Sequence, residues 1–210
     1  MTATYHREER LNTISHAFGI LLGIVGFYLM WNNTYDLQDK VGFSVTIYNC
    51  SVILLFTAST LYHSVHLNPL KARLRILDHI SIYYLIAGTY TPVALITLSE
   101  GNGWLIFYLI WGFALLGTLL KVFYTGRFEV FSLMLYLFMG WLIIFDISNL
   151  VESTSSTGLI LLSLGGAFYT IGIFFYVKKN IPYNHFIWHI FVLGGAISHW
   201  LYIYLEVLPD

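Results

Sequence analysis

Long apolar stretches separated by short polar connections run along the whole chain. A helix needs about 20 mostly apolar residues to cross the hydrocarbon core of a membrane. Glycine, proline, asparagine and charged residues separate seven runs of that kind, and no connection is long enough to form a soluble domain. We therefore predict an all-α polytopic membrane protein, one domain over residues 1–210, with spans at about 13–31, 43–65, 77–98, 103–123, 129–148, 157–177 and 185–206.

The basic residues predict how these spans are oriented. The segments that follow the first, third, fifth and seventh spans lie on one side of the membrane, and they contain only Lys40 of the 10 Lys and Arg residues. Because cytoplasmic loops of membrane proteins carry an excess of Lys and Arg, we predict a cytoplasmic N-terminus and an external C-terminus. The basic residues on the predicted cytoplasmic side are Arg7, Arg10, Lys71, Arg73, Arg75, Lys121, Arg127, Lys178 and Lys179.

Composition narrows the classes of function. The chain is 58% hydrophobic and 10% charged, whereas a soluble domain carries about 25% charged residues. Its formal net charge of −1 gives no reason to expect nucleic-acid binding. A single cysteine, Cys50, excludes a disulfide framework and a cysteine-based zinc site, and its apolar surroundings predict a buried side chain.

Ionisable residues from three spans converge on the predicted cytoplasmic side. His63 lies near the end of the second span, Asp78 lies in the first turn of the third, and His185 and His189 open the seventh. The two histidines of the seventh span are four residues apart, so they share one helix face with Cβ atoms about 5–6 Å apart. Polar groups in a membrane are expensive and are often functional.

These residue types suit a zinc site. Three neutral imidazoles and one water molecule form a known zinc coordination, for which we predict His63, His185 and His189 as ligands. Asp78 could orient or deprotonate the water, and Ser59, one turn before His63, could hydrogen-bond beside the site. The alternative from the residues alone is a set of interfacial histidines that bind backbone groups, water or lipid headgroups.

Three further polar residues are candidates for supporting roles. Asn12 and His16 lie near the predicted cytoplasmic end of the first span, where they could support the site or cap the helix. His199 follows His189 by ten residues, which places it about 15 Å deeper by helical rise. That distance is too long for a shared ion, so we predict a buried hydrogen-bonding role for His199.

Four segments of the sequence resemble the hemolysin III family of small bacterial membrane proteins. They are "EERLNTISHAFG", "STLYH", "DHISIYYLIAGTYTP" and "HFIWHIFVLGGAISHW". That family is grouped with the progestin and adiponectin receptors and, more distantly, with the alkaline ceramidases. The resemblance implies seven spans with the N-terminus inside, and a zinc ion held by His63, His185 and His189 with Asp78 and Ser59 close to it.

The function that follows is a zinc-dependent hydrolase, ceramidase-like, that cleaves an amide or acyl lipid within the bacterial inner membrane. Membrane lipid would be its substrate or ligand. Two alternatives stay open. One is a non-catalytic receptor or regulator of membrane-lipid homeostasis with a structural zinc ion, and the other is a hemolysin-type cytolytic protein. The sequence does not assign an oligomeric state.

Overall fold

The computed structural model describes residues 3–34, 39–66 and 68–208, which form a helical bundle that contains no β-strand within these ranges. Seven helical segments of this part of the chain are long and apolar enough to cross a membrane, which confirms the predicted all-α polytopic fold. The α-helices are α1 (Ala3–Thr34), α2 (Asp39–Ser64), α3 (Asn68–Pro92), α4 (Gly103–Tyr124), α5 (Glu129–Gly140), α6 (Ile147–Glu152), α7 (Ser156–Val177) and α8 (Asn184–Tyr202). The fifth span contains two of these helices, α5 and α6, and the seventh begins with α8.

Two helices begin well before the apolar stretches that predict them. The sequence places the first and third spans from about 13 and 77, whereas α1 begins at Ala3 and α3 at Asn68. Hydropathy detects only the part of a helix that lies in hydrocarbon, and Glu, Lys and Arg are good helix formers that continue the helix into water. These added turns bring Glu9 of α1 into contact with Lys71 of α3.

The main helix contacts run in the order α7, α8, α1, α2, α3 and α4, with α5 against α3 and α4. The interior contains large side chains such as Tyr48, Phe56 and Tyr83, each at most 1% exposed. The outer faces of α4, α5 and α7 carry many exposed apolar side chains, as a lipid-facing surface requires. We define the end of the bundle where α1, α3 and α8 begin and α2 ends as the N-terminal end.

Three spans depart from α-helical geometry, and the seventh does so at its end, where Ile203–Val207 form a π-helical turn after α8. α3 ends at Pro92, and Val93–Thr97 continue as a π-helical turn. Proline cannot donate a backbone hydrogen bond, and its ring displaces the carbonyl group of the residue four positions earlier, so a helix commonly changes geometry at a proline. The fifth span breaks after Gly140, and Leu142–Asp146 form a 3₁₀ turn before α6.

Tyr90 of α3 repairs the break in the fifth span. Its hydroxyl donates to the carbonyl oxygen of Gly140 at 3.0 Å and accepts from the backbone N–H of Ile143 at 2.9 Å. A backbone group without a partner in hydrocarbon costs several kcal/mol, so an irregular turn there must be satisfied by other protein groups. The broken span is therefore held by a side chain from its neighbour.

The prediction that Cys50 is buried is wrong. Its side chain is exposed on the outer face of α2. In a membrane protein an apolar run is compatible with lipid exposure, so hydrophobicity alone does not separate a lipid-facing position from a core position.

We expect Gly103→Ala to destabilise the protein, because a methyl group at this position would overlap the carbonyl oxygens of Ala94 and Leu98. A cost of about 1–3 kcal/mol is typical of overpacking, and the midpoint of thermal unfolding in detergent measures it. Gly112→Ala on the same helix is the matched control, since nothing lies within 4 Å of the added carbon. Equal midpoints for the two variants would contradict the packing shown here.

Candidate metal centre

Four helices meet around a polar cavity at the N-terminal end of the bundle. α2 ends there with His63 in its last turn, and α8 begins there with His185 and His189 one turn apart. α1 contributes Asn12 and α3 contributes Asp78. The cavity has a volume of about 290 Å³ and is lined by all five of these side chains.

The three histidines lie close enough to hold one metal ion. Each of His63, His185 and His189 has one ring nitrogen that lies within 4.8 Å of a ring nitrogen of each of the other two histidines. The ring centroids are 4.8–5.1 Å apart. Among the residues that the structure describes, no other group of three or more histidine, cysteine or acidic side chains lies close enough together to hold a metal ion.

The donor set fits a metal ion that accepts nitrogen ligands. His63 and His189 are buried, and Nε2 of His63 has no hydrogen-bond partner among the described residues. A buried polar atom without a partner costs about 1–3 kcal/mol. An ion shared with the other two imidazoles, which are common ligands of Zn, Cu, Fe and Ni, would satisfy this nitrogen.

Contacts with α1 select the protonated nitrogen of two of these rings. Nδ1–H of His63 donates to Oε1 of Glu9 at 2.9 Å, and Nδ1–H of His189 donates to the carbonyl oxygen of Asn12 at 3.3 Å. A neutral imidazole carries one proton, so a proton on Nδ1 leaves Nε2 as the lone-pair donor. Both rings are therefore presented with Nε2 available as the ligand atom.

The start of α8 is built to place His185. Tyr183, just before the helix, has a left-handed backbone with φ 57°, which is costly for a residue with a Cβ atom and turns the chain into α8. The backbone N–H of His185 donates to Oε1 of Glu8 at 3.1 Å. A carboxylate at a helix N-terminus accepts a hydrogen bond from a free N–H group, and its negative charge interacts favourably with the positive end of the helix dipole.

Asp78 and Ser59 both line the same cavity as the histidines. The side chain of Ser59 lies close to the carboxylate of Asp78. Ser59 is 2% exposed, so this contact forms away from solvent. The cavity therefore brings the three clustered imidazoles together with the Asp78 carboxylate, and the side chains of His16, His79, Glu8 and Glu9 also line it.

The supporting candidates lie at different depths. The ring of His16 stacks on that of His189 with centroids 3.7 Å apart, which places His16 directly beside the three histidines. His199 does not line the polar cavity, and its Nε2–H donates to the carbonyl oxygen of Leu162 at 3.2 Å. Gly165 allows this approach, because any Cβ there would overlap the His199 ring.

Among the charged residues at this site that sequence reasoning missed is Glu9, which contacts His63 and is itself bound by Lys71. Lys71 also donates to the carbonyl oxygen of Tyr62 at 3.2 Å. Glu9, Asn12 and His16 recur at positions i, i+3 and i+7, which share one helix face. This spacing was the available signal, but it falls mostly outside the apolar stretch that predicts the first span.

A second, almost entirely apolar chamber adjoins the polar cavity. It has a volume of about 120 Å³ and lies among α3, α5, α7 and α8. Ile82, Tyr176 and Trp188 line both spaces, so the chamber begins where the polar cavity ends. His199 lies in the wall of this chamber.

Both signs of charge line the polar cavity apart from the histidines. Arg75 lines it and donates to Oε1 of Glu129 at 3.2 Å. Lys179, in the connection between α7 and α8, also lines it, and burial lowers the pKa of this ammonium group below its usual value. Glu8 is close enough to oppose that effect.

Comparisons with known proteins agree with this architecture. The family model described as "Haemolysin-III related" matches residues 4–200. Hemolysin-3 of Bacillus cereus is 40% identical over 205 residues, which cover 97% of this chain and 93% of that protein. A hemolysin-3 homolog of Bacillus subtilis (strain 168) is 43% identical over 195 residues, 91% of each chain.

A more distant relative comes from mammals. The human monocyte to macrophage differentiation factor is 32% identical over 212 residues, which cover 94% of this chain and 85% of that protein. The matches extend over nearly the whole sequence, and the seven membrane-capable helices carry the three clustered histidines. The chain is therefore a multi-pass membrane protein that belongs to the haemolysin III family.

Proposed function

We propose that this protein is a zinc-dependent hydrolase that cleaves an amide or ester bond of a membrane lipid. The observation that carries the proposal is the cavity that brings three clustered histidines together with a carboxylate and shares wall residues with an apolar chamber. His63, His185 and His189 would hold the ion. When bound, zinc would supply a Lewis acid that polarises a carbonyl group and activates water.

Asp78 is the proposed general base. Its carboxylate lines the cavity beside the histidines, and a hydrogen bond from the nearby Ser59 hydroxyl would hold its orientation. A carboxylate held in this way can accept the proton of a water molecule as that water attacks the lipid carbonyl. Ser59 acts by positioning Asp78.

The apolar chamber supports a substrate with a hydrocarbon tail. Tyr176 and Trp188 form part of the wall shared by the two spaces, so a tail in the chamber would leave the polar end of the lipid in the cavity. The tail would leave an equally apolar bilayer, so the chamber would accept it at little cost in solvation free energy, and close packing would supply the selectivity. The substrate can enter from the bilayer, because the protein is embedded in it.

We place the site at the cytoplasmic side of the bacterial inner membrane. The placement rests on the positive-inside rule, since the basic residues concentrate on the connections at the N-terminal end. On this orientation the reacting group is near the water of the cytoplasm and the tail points towards the membrane centre.

A regulator with structural zinc is the second candidate. His63 lies on α2 and His189 on α8, and both contact α1 through Glu9 and Asn12. An ion at this point would join α2 to α8, and α1 contacts histidines of both helices, so the occupancy of the site by lipid or metal would change the packing of these helices. Lytic activity is a third candidate, because the relative from Bacillus cereus is named a hemolysin.

We expect the purified wild-type protein to contain one zinc ion per chain. His63→Ala, His185→Ala and His189→Ala should each lose most of it, because each removes one of three protein ligands. Metal analysis by mass spectrometry after desalting measures the content. His66→Ala is the matched control, since His66 is an exposed histidine at the same end of the bundle. Full zinc content in the three variants would refute the site.

We expect Asp78→Ala to lower hydrolysis of N-acyl or ester lipids by about 10²–10⁴-fold, the usual contribution of a general base, with unchanged zinc content. The assay uses the protein in liposomes that contain defined amide and ester lipids, with product detected by mass spectrometry. Undiminished cleavage by Asp78→Ala would exclude its role as base.

Two further results would favour the other candidates. If zinc-loaded wild type cleaves no lipid while the histidine variants lose thermal stability, the structural-zinc regulator is supported. Release of an entrapped dye, when purified protein is added to intact liposomes, would support a cytolytic function.

A further inference from the structure

We propose that Glu9 is a positioning residue for the metal centre, which holds His63 in the orientation and tautomer that metal binding requires. The inference rests on the proposed metal site and extends it to α1, which contributes none of the three histidines. It assigns a function to a charged residue that lies ahead of the apolar part of the first span.

Both oxygens of the Glu9 carboxylate are engaged. Oε1 accepts from Nδ1–H of His63 at 2.9 Å, and Oε2 accepts from the ammonium group of Lys71. Lys71 is itself fixed, because it also donates to the carbonyl oxygen of Tyr62 and its Nζ lies 4.7 Å from the centre of the Tyr62 ring. The carboxylate is therefore held between His63 of α2 and Lys71 of α3.

The contact determines which nitrogen of His63 is free. Glu9 contacts Nδ1, and Nε2 is the buried nitrogen without a partner. A carboxylate can only accept a hydrogen bond when ionised, so the proton of the neutral ring stays on Nδ1. Asn12 Nδ2 lies 3.5 Å from the same Nδ1, but the shorter contact with the carboxylate dominates. A carboxylate that binds the outer nitrogen of a metal-ligating histidine fixes the ring and raises its basicity.

Burial also indicates a specific role. Glu9 is 8% exposed, whereas Glu8 and Arg10 beside it are more exposed. Removing a carboxylate from water is costly unless charge partners and hydrogen bonds compensate. Glu9 receives its compensation from Lys71 and directs its other oxygen to His63, so a cation stabilises the charge that orients the ligand.

The same end of the bundle provides a matched control. Glu129 at the start of α5 binds Lys121 at 2.7 Å and Arg75 at 3.2 Å, and it joins α3, α4 and α5. It resembles Glu9 as a partly buried glutamate that links helices through basic residues. It does not contact any of the three clustered histidines. Glu129→Gln therefore reports what the loss of such a link does to stability alone.

The experiment compares metal affinity in the full chain. Wild type, Glu9→Gln, Glu9→Ala and Glu129→Gln are purified in detergent, stripped of metal, and titrated with Zn²⁺ against a chelator. Loading with Co²⁺ adds a visible spectrum that reports ligand geometry, and thermal unfolding of the metal-free proteins reports stability. Changes to such outer contacts typically cost 10–100-fold in metal affinity. We expect Glu9→Ala to fall in that range, Glu9→Gln to lose less because its amide oxygen still accepts, and Glu129→Gln to keep wild-type affinity.

Distinct outcomes overturn the inference and the proposed site. Wild-type affinity and an unchanged Co²⁺ spectrum in Glu9→Ala would overturn the role of Glu9 while leaving the site intact. Equal losses of affinity in Glu9→Ala and Glu129→Gln would reduce the effect to stability and would also overturn it. Absence of metal binding by wild type would overturn the metal site itself. If Glu9→Ala does not fold, Lys71→Met, which frees Oε2 of Glu9, replaces it with the same expected direction.

Discussion

Hydrocarbon provides no hydrogen-bond partner, and the structure depends on this constraint throughout. Each polar atom inside the bundle must be satisfied by another protein group or by something the protein binds. Tyr90 satisfies the broken backbone at Gly140 and Ile143, and His199 is satisfied in part by the carbonyl oxygen of Leu162. Several buried polar atoms of the described residues have no such partner, and they include both ring nitrogens of His16 and Nε2 of His63. Those of His63 and His16 lie at the histidine cluster, where a bound ligand would supply a partner.

α1 shows how a membrane anchor can also be part of a site. Its apolar part faces lipid over much of its surface, as the exposed side chains of Leu21 and Val25 indicate. Its first turns instead contact α2, α3 and α8 through Glu8, Glu9 and Asn12. These contacts hold two histidines through their outer nitrogens and one through its backbone. The helix therefore arranges ligands that it does not itself contribute.

The two adjoining spaces suit an amphiphile better than a water-soluble molecule. The polar cavity holds the histidines and Asp78, while the chamber beyond Ile82 and Trp188 is nearly free of polar surface. A lipid can satisfy both environments at once, because its polar group and its tail are joined. The full-length similarity to Bacillus hemolysin-3 proteins and to a human relative indicates that the scaffold itself is shared among them.

The sequence alone determined the seven spans and the candidate set of His63, His185, His189, Asp78 and Ser59. Span length and helical spacing are local properties, so they can be read from neighbouring residues. Tertiary structure decided the starts of α1 and α3, the lipid exposure of Cys50, and the contact of Glu9 with His63. That contact joins residues 54 positions apart, and it forms only because α1 and α2 pack side by side with their ends at one level. Local pattern shows which residues a helix presents, but packing decides what they meet.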